Sequence, residues 1–374
     1  MNDYLKHYKI KLITEGPVFI GSGKEFSKKE YLFLSNGEKI GILDFAKFYG
    51  YIHDRKLSEK FEDFFINDYK SDLRCWIKEN NISYDEIKKY LKYELDCGDT
   101  SLENGKKAQI MEFVKDVYGC PYIPGSSIKG MLRTILEAKY VSDNIDLFLT
   151  DKYKINDRLD NTYKPNKNIL RIEEKNISVK SFNKLNKKKD KMEDAVNDIL
   201  SRVIIGDSVP LDVNDLILCQ KIEVHTDGRE KNLNLLRECI KPGVSIEIPI
   251  SIDTSKTTSN VKDINIDDIR NAIIGFNEIY KKCFTDAFNT NVDIRDETVF
   301  LGGGVGFVSK TMIYPLFGKN EGIDVSKKIF EKTGVPKEHK HFNDNRLGAS
   351  PHILKCTRWN GRLYQIGQCK FEIG

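Results

Sequence analysis

The chain has 374 residues, 40% hydrophobic and 31% charged, with 60 Lys and Arg against 56 Asp and Glu, a formal net charge of +4. That length suits two domains and the apolar share suits a sizeable core. The small total excludes a protein coated in positive charge, though a local basic groove depends only on where the charge sits. Residues 301–374 carry a balance of +6 and residues 1–300 one of −2, so the C-terminal fifth supplies all the net positive charge.

No run approaches the ~20 consecutive apolar residues that span a bilayer. The opening MNDYLKHYKIKLITEGP lacks the basic, then apolar, then small-residue order of a signal peptide. The expectation is a cytoplasmic chain with no membrane partner. None of the eight cysteines is spaced C-x-x-C, which excludes a zinc ribbon or a thioredoxin-like site and predicts reduced thiols. Neither a metal nor a cofactor is expected.

Residues 7–20 alternate in part between polar and apolar and break at Gly16–Pro17, which predicts a strand and a turn. Gly21-Ser22-Gly23-Lys24 is a flexible, basic loop. Residues 29–49 predict a short hairpin running into a helix, and 55–96 a solvated helical insertion with Leu57, Phe61, Phe64 and Phe65 on one side. Residues 106–117, KKAQIMEFVKDV, predict an amphipathic helix. Residues 151–200, poor in apolar groups and rich in Asn, Lys and Asp, predict a long exposed excursion. Strand-like runs return at 203–205, 216–218 and 244–252. A helix follows at about 266–288, then a Gly-rich turn at 302–306 and a strand at about 362–373. Strands mixed with helices, without a βαβ rhythm, give an α+β fold of two sheet-plus-helix units.

Two motifs stand out. The first runs from Tyr122 to Arg133, YIPGSSIKGMLR. Pro124–Gly125 marks a turn, Ser126 or Ser127 is placed to cap the following helix, and Ile128, Leu132, Ile135 and Leu136 form one buried stripe. Lys129 and Arg133 lie four residues apart near the positive end of that helix, a cradle suited to phosphates; an ordinary capped helix with two solvated cations is the alternative. The second motif is Phe300-Leu301-Gly302-Gly303-Gly304-Val305-Gly306-Phe307, followed by Ser309-Lys310-Thr311. It fits neither G-x-x-x-x-G-K-[ST] nor G-x-G-x-x-G, so an NTPase or dinucleotide enzyme is unsupported. Four glycines in five residues suit a backbone that lies against a ligand, or a tight turn under close packing.

The string from Tyr122 to Arg133 resembles the hallmark of the RAMP superfamily, the RNA-binding subunits of CRISPR effector complexes. The Gly-rich run resembles that superfamily's C-terminal loop. Within it, Pro17 to Phe26, Leu236-Arg237-Glu238-Cys239-Ile240, Leu301 to Thr311 and Tyr364-Gln365-Ile366-Gly367 resemble subunit five of the Csm complex of type III-A systems. The resemblance is weakest over 55–100 and 141–200.

It implies two RRM-like (ferredoxin-like) domains, placed at 1–200 and 201–374, with helical and loop insertions. It implies a non-catalytic subunit that caps the 3′ side of the crRNA and is needed for maturation of the crRNA intermediate in antiviral defence. The implied partners are the crRNA, the backbone RAMP subunit, the small helical subunit and host exoribonucleases. The expected RNA contacts are Gly21, Ser22, Lys24, Ser126, Ser127, Lys129, Arg133, Gly303, Gly304, Gly306 and Lys310. Tyr122 and Phe307 suit either stacking on bases or the core, and the core is the favoured reading.

A metal-independent endoribonuclease of the RAMP class that processes precursor crRNA is the alternative, and a pure protein scaffold a third reading. The stretch Gly21–Glu30 holds Glu25 and Glu30 but no Asp, and Asp44 reads as a helix cap. Among the six histidines, His7 reads as a strand residue, His225 as preceding a turn, and His339 and His341 as a chance pair without a third ligand. None is assigned to catalysis. The aromatic RRM signature is absent from the sequence, so recognition through phosphates and 2′-hydroxyls is expected, which suits a guide of variable sequence.

Overall fold

The computed structural model describes residues 4–34, 37–100, 109–255, 264–290 and 292–374. The chain begins with β1 (Leu5–Thr14), β2 (Gly21–Phe26), β3 (Tyr31–Leu34) and β4 (Lys39–Leu43). Four helices follow, α1 (Phe45–Asp54), α2 (Ser58–Asn67), α3 (Leu73–Glu79) and α4 (Tyr84–Lys88), then β5 (Leu91–Asp96) and β6 (Ile110–Phe113). Next come α5 (Gly125–Asp143), α6 (Leu149–Asp160) and α7 (Arg171–Phe182). The strands β7 (Val203–Ile205), β8 (Leu216–His225), β9 (Glu230–Ile240) and β10 (Ser245–Asp253) lead to α8 (Ile266–Cys283) and β11 (Thr298–Phe300). The chain closes with α9 (Ile313–Lys332), α10 (Asp344–Leu347), β12 (Ile353–Trp359), β13 (Arg362–Gln365) and β14 (Gln368–Ile373).

The architecture is α+β. Among the described residues the strands form two sheets, one of five strands ordered β11-β14-β1-β10-β7 and one of nine built on β2-β6-β9-β8-β5-β4-β3, with the β12–β13 hairpin attached through β8. Each sheet draws strands from both sides of residue 200. Alternation explains β1 and β10. Ile10 and Leu12 point inward beside outward Lys9 and Lys11, and Ile246, Ile248, Ile250 and Ile252 line the inner face of β10. Helix α8 starts with a capping box between Asn265 and Asp268 and buries Ile269, Ala272, Ile273, Phe276 and Tyr280 at helical spacing. Asp44 caps α1, its carboxylate accepting from the Lys47 amide, as expected. All eight cysteines are free thiols.

Four sequence expectations change. Residues 110–113 are strand β6, not helix, paired with β2 on one side and β9 on the other; residues 106–108 of that segment lie outside the described residues. Ile110 and Phe113 are both buried at a three-residue spacing, which imitates a helical turn. Residues 151–200 are an exposed excursion only in part: 163–168 and 186–193 are exposed, but the rest is largely helical and packed. Helices α6 and α7 bury Ile155, Leu159, Ile177 and Phe182, and most of these pack with Leu316, Val325 and Ile329 of α9. A few well-spaced apolar residues sufficed there despite a polar composition. The 55–96 region contains three helices and a strand, and its aromatic side chains Phe61, Phe64 and Trp76 build a small core together with Phe48 of α1. Residues 362–373 are two strands turning at Gly367 rather than one.

Candidate nucleic-acid interface

Helix α5 starts at Gly125, and its N-cap is Pro124 without a side-chain hydrogen bond, so neither Ser126 nor Ser127 is the cap. The first free amide is taken by a carboxylate of the protein: Gly125 N donates to Asp207 Oδ1 at 2.8 Å. Ser126 and Ser127 are thereby left to face outward. They line a cleft of about 400 Å³ together with Gly21, Gly130, Gly302, Gly303 and Lys310. Three segments far apart in the chain, near 21, 126 and 303, meet in this one cleft.

The Gly-rich loop follows from β11 and is fixed against residues 17–20. Gly303 N donates to Phe19 O at 2.7 Å, and Leu301 N to Gly367 O at 2.8 Å. Gly302 has φ +89° and its Cβ would lie 2.1 Å from Phe19 O; Gly304 has φ +86° and its Cβ would meet Arg237 Nη1. Both positions require glycine on two counts, left-handed backbone and lack of room. Phe19, 4% exposed, lies under the cleft with its ring edge against Gly21 and Gly303.

Lys310 curls back to donate to Gly302 O at 2.9 Å, and desolvation holds its ammonium below the ordinary lysine pKa. With Gly306 it also borders a second cleft of about 740 Å³ beneath α5, lined by Glu137, Lys167 and Arg171. Thr134 and Lys310 border both, so the two adjoin. Burial pushes the Glu137 carboxyl up to about 7, against the pull of Arg133.

Strand β2 is an edge strand of the nine-stranded sheet, and its register slips between Gly21 and Glu25. Residues 22–24 therefore bulge outward and are exposed. Ser22 Oγ donates to Glu112 Oε2 at 3.0 Å, while the Lys24 ammonium has no partner among the described residues.

Lys129 and Arg133 point elsewhere. Lys129 Nζ donates to Val203 O at 2.9 Å, and its pKa is lowered by desolvation. Arg133 reaches Asp198 and Ser178 and stacks on the Phe182 ring. The structure thus brings Gly21, Ser126, Ser127, Gly303 and Lys310 to one cleft. It sets Ser22 and Lys24 on the bulge next to Gly21, Gly304 and Gly306 on the adjoining loop, and Lys129 and Arg133 on another face of α5, turned into the protein. Phe307 is half-buried: it packs edge-on against Phe330 and also lines the second cleft. In the basic tail, Arg358 is tied to Glu230 and Lys355 to Glu223. Another cleft, about 1020 Å³ between α5 and α8, is lined by none of the expected RNA contacts.

Sequence reasoning passed over Arg237. It stands on β9 with its guanidinium 5.2 Å from the centre of the Phe19 ring and against Gly304. Its Nε and Nη1 are buried without a hydrogen-bond partner, and desolvation lowers its pKa. A buried guanidinium without a carboxylate invites an anion. The signal was present as a cation placed, beside Glu238, among Leu235, Leu236, Cys239 and Ile240 at the end of β9. Its neighbour Glu238 is different, a fully buried hub bonded to Lys115, Tyr93 and the Phe113 amide.

Comparison with known proteins bears on the family and the fold. The RAMP superfamily model matches residues 11–309. The chain is similar to the CRISPR system Cms protein Csm5 of Mycobacterium tuberculosis (strain ATCC 25618 / H37Rv), 28% identical with 100% of this chain and 99% of the relative covered. It is similar to the Csm5 of Streptococcus thermophilus, 29% identical with 100% and 96% covered. In fold it matches a chain of a Csm-crRNA-target RNA ternary complex of a type III-A CRISPR-Cas system, with TM-score 0.63, 18% identity, and 98% of this chain and 100% of that one covered. It also matches T. onnurineus Csm5, with TM-score 0.61, 16% identity, and 96% and 99% covered.

Proposed function

The chain belongs to the RAMP superfamily, and from that premise we propose that it is the Csm5-type subunit of a type III-A CRISPR complex, binding crRNA without cutting it. The observation that carries this reading is the cleft where Gly21, Ser126, Ser127, Gly303 and Lys310 converge. Serine hydroxyls, a lysine and an outward-bulging Lys24 suit a sugar-phosphate backbone and read no base. The names of its relatives support the assignment to the Csm complex. In this reading the subunit caps the 3′ side of the guide, contacts the backbone RAMP subunit and the small helical subunit, and shields or presents the RNA end to host exoribonucleases during maturation. Lys129 and Arg133 act as positioning residues that hold the strand and turns at 198–205 against α5.

The test is a crosslinking map on the assembled complex. Adducts at 21–24, 126–130 and 302–310 are expected, with affinity falling with salt at a slope near −0.7 per phosphate neutralised. A map without adducts in these segments makes the chain a protein scaffold instead.

One observation favours a second reading, a metal-independent endoribonuclease. Glu137 borders the cleft next to Lys310 and titrates near neutrality, as a general acid or base needs. Cleavage of a labelled precursor by the isolated chain without metal, lost in Glu137→Gln, would establish it.

A further inference from the structure

The sequence reading left His339 and His341 as a pair without a third ligand, and the structure corrects this. His341 does not stand alone; it closes on Asp344 and His352. Asp344 Oδ2 lies 3.0 Å from His341 Nδ1 and Oδ1 lies 2.5 Å from His352 Nδ1. One ligand-capable atom from each of the three falls within 4.8 Å of the others. Asp344 is fully buried, and the two imidazoles are 14% and 7% exposed. Two further imidazoles flank the trio, His225 with its ring centre 5.9 Å from that of His352 and His339 at the same distance from His341. Four of the six histidines of the chain therefore gather around one buried carboxylate.

We propose that His341, Asp344 and His352 bind a single divalent cation of the zinc class. The argument is one of charge and donor type. No Lys or Arg pairs with Asp344 among the described residues; the ion-pair partners of its carboxylate there are two imidazoles, His341 and His352. A fully buried carboxylate with no Lys or Arg beside it is a favourable place for a cation. Two imidazole nitrogens and a carboxylate oxygen form the ligand set that zinc prefers, with a fourth position for water or a flanking imidazole.

The location gives the ion work to do. Residues 337–347 are three short turns, with Lys340 in left-handed backbone, between α9 and β12. A cation held by 341, 344 and 352 fixes such a segment to the sheet that β12 joins at His225. The site also leans on the Gly-rich loop through two rings, since His341 packs on Phe330 at 4.4 Å and Phe330 on Phe307 at 5.1 Å. The inference is independent of the RNA reading.

The test uses the purified full chain, stripped with chelator and titrated calorimetrically with zinc chloride at neutral pH. One ion per chain with micromolar or tighter affinity is expected, weakening as pH falls toward 5 because the imidazoles must be deprotonated, together with a rise in Tm. Cobalt in place of zinc should give visible absorption of a tetrahedral site. His341→Asn and Asp344→Asn should abolish both, and His53→Asn should change neither. His341→Cys should keep cobalt and add a sulfur charge-transfer band, which a purely hydrogen-bonding role would not produce. If Asp344→Asn fails to fold by circular dichroism, the more exposed His341 variants decide. No saturable uptake by the native chain, or full uptake by folded His341→Asn, overturns the proposal.

Discussion

Arg133 Nη1 lies 2.6 Å from Asp198 Oδ2, so the guanidinium of the signature helix is answered by the protein's own carboxylate. Its plane also covers the Phe182 ring at 4.3 Å. Arg133→Gln should therefore act on folding more than on RNA. The expected loss is ~1 kcal/mol in urea unfolding, modest because the pair is part-exposed and screened. RNA retention should fall far less than in Lys24→Glu/Lys310→Glu. A large loss of RNA at unchanged stability would return Arg133 to the interface.

Arg237 makes the opposite prediction. Its Nε and Nη1 have no partner, so Arg237→Met removes an uncompensated cation while keeping the bulk against Phe19. Without RNA, the variant should be as stable as the native chain or more so. With RNA, affinity should drop and the salt slope should shrink by about 0.7, the share of one phosphate. Equal RNA binding by both proteins would make Arg237 a packing residue.

Glu238 is fully buried and holds Lys115 at 2.5 Å, Tyr93 Oη at 2.6 Å and the Phe113 amide at 2.9 Å. Glu238→Ala should cost about 3–5 kcal/mol, since it leaves Lys115, itself inside, with only the more distant Glu112 at 3.7 Å and leaves Tyr93 and the Phe113 amide without their acceptor. Replacing both partners, Glu238→Leu with Lys115→Met, should recover much of that loss. Chemical denaturation of the three proteins measures it, and a double variant no better than Glu238→Ala refutes the account.

Glu137 supplies the pH dependence. Its folded pKa of about 7 lies above the unfolded value of 4.5. The folded state thus binds more protons in that window, and stability falls as pH rises from about 4.5 through 7. Glu137→Gln should flatten the fall and raise unfolding stability at pH 8, by about 3 kcal/mol at most. Parallel pH profiles for both proteins would show that Glu137 titrates normally.

Sequence alone carried the elements that obey a simple period. The alternation in β1 and β10, the turn at Gly16–Pro17 and the stripe of α8 were legible because one face of each is buried and the other is wet. The two motifs were legible as strings, and the structure brings residues of both, with Gly21, to one cleft. What stayed hidden was decided by distant partners. β6 was read as helix because Ile110 and Phe113 are spaced like a turn, and only pairing with β2 and β9 makes the segment extended. Lys129 and Arg133 looked free because nothing local announces Val203 or Asp198. Arg237 and Asp344 gain their meaning from groups on other elements, Phe19 and Gly304 for one and His352 for the other.

The pairing of β1 sets a schedule for synthesis. Its neighbours are β10 and β14, so Ile10 waits for Ile248 and Ile373. Roughly 230 residues separate β1 from β10, which at ordinary elongation rates is a delay of about ten to fifty seconds. Throughout that time a strand with the inward pair Ile10 and Leu12 has no edge to join. The five-stranded sheet is thus a late product of translation. A ribosome stalled beyond β6 leaves an apolar strand for chaperones to hold, whatever the sequence of any RNA it will later meet.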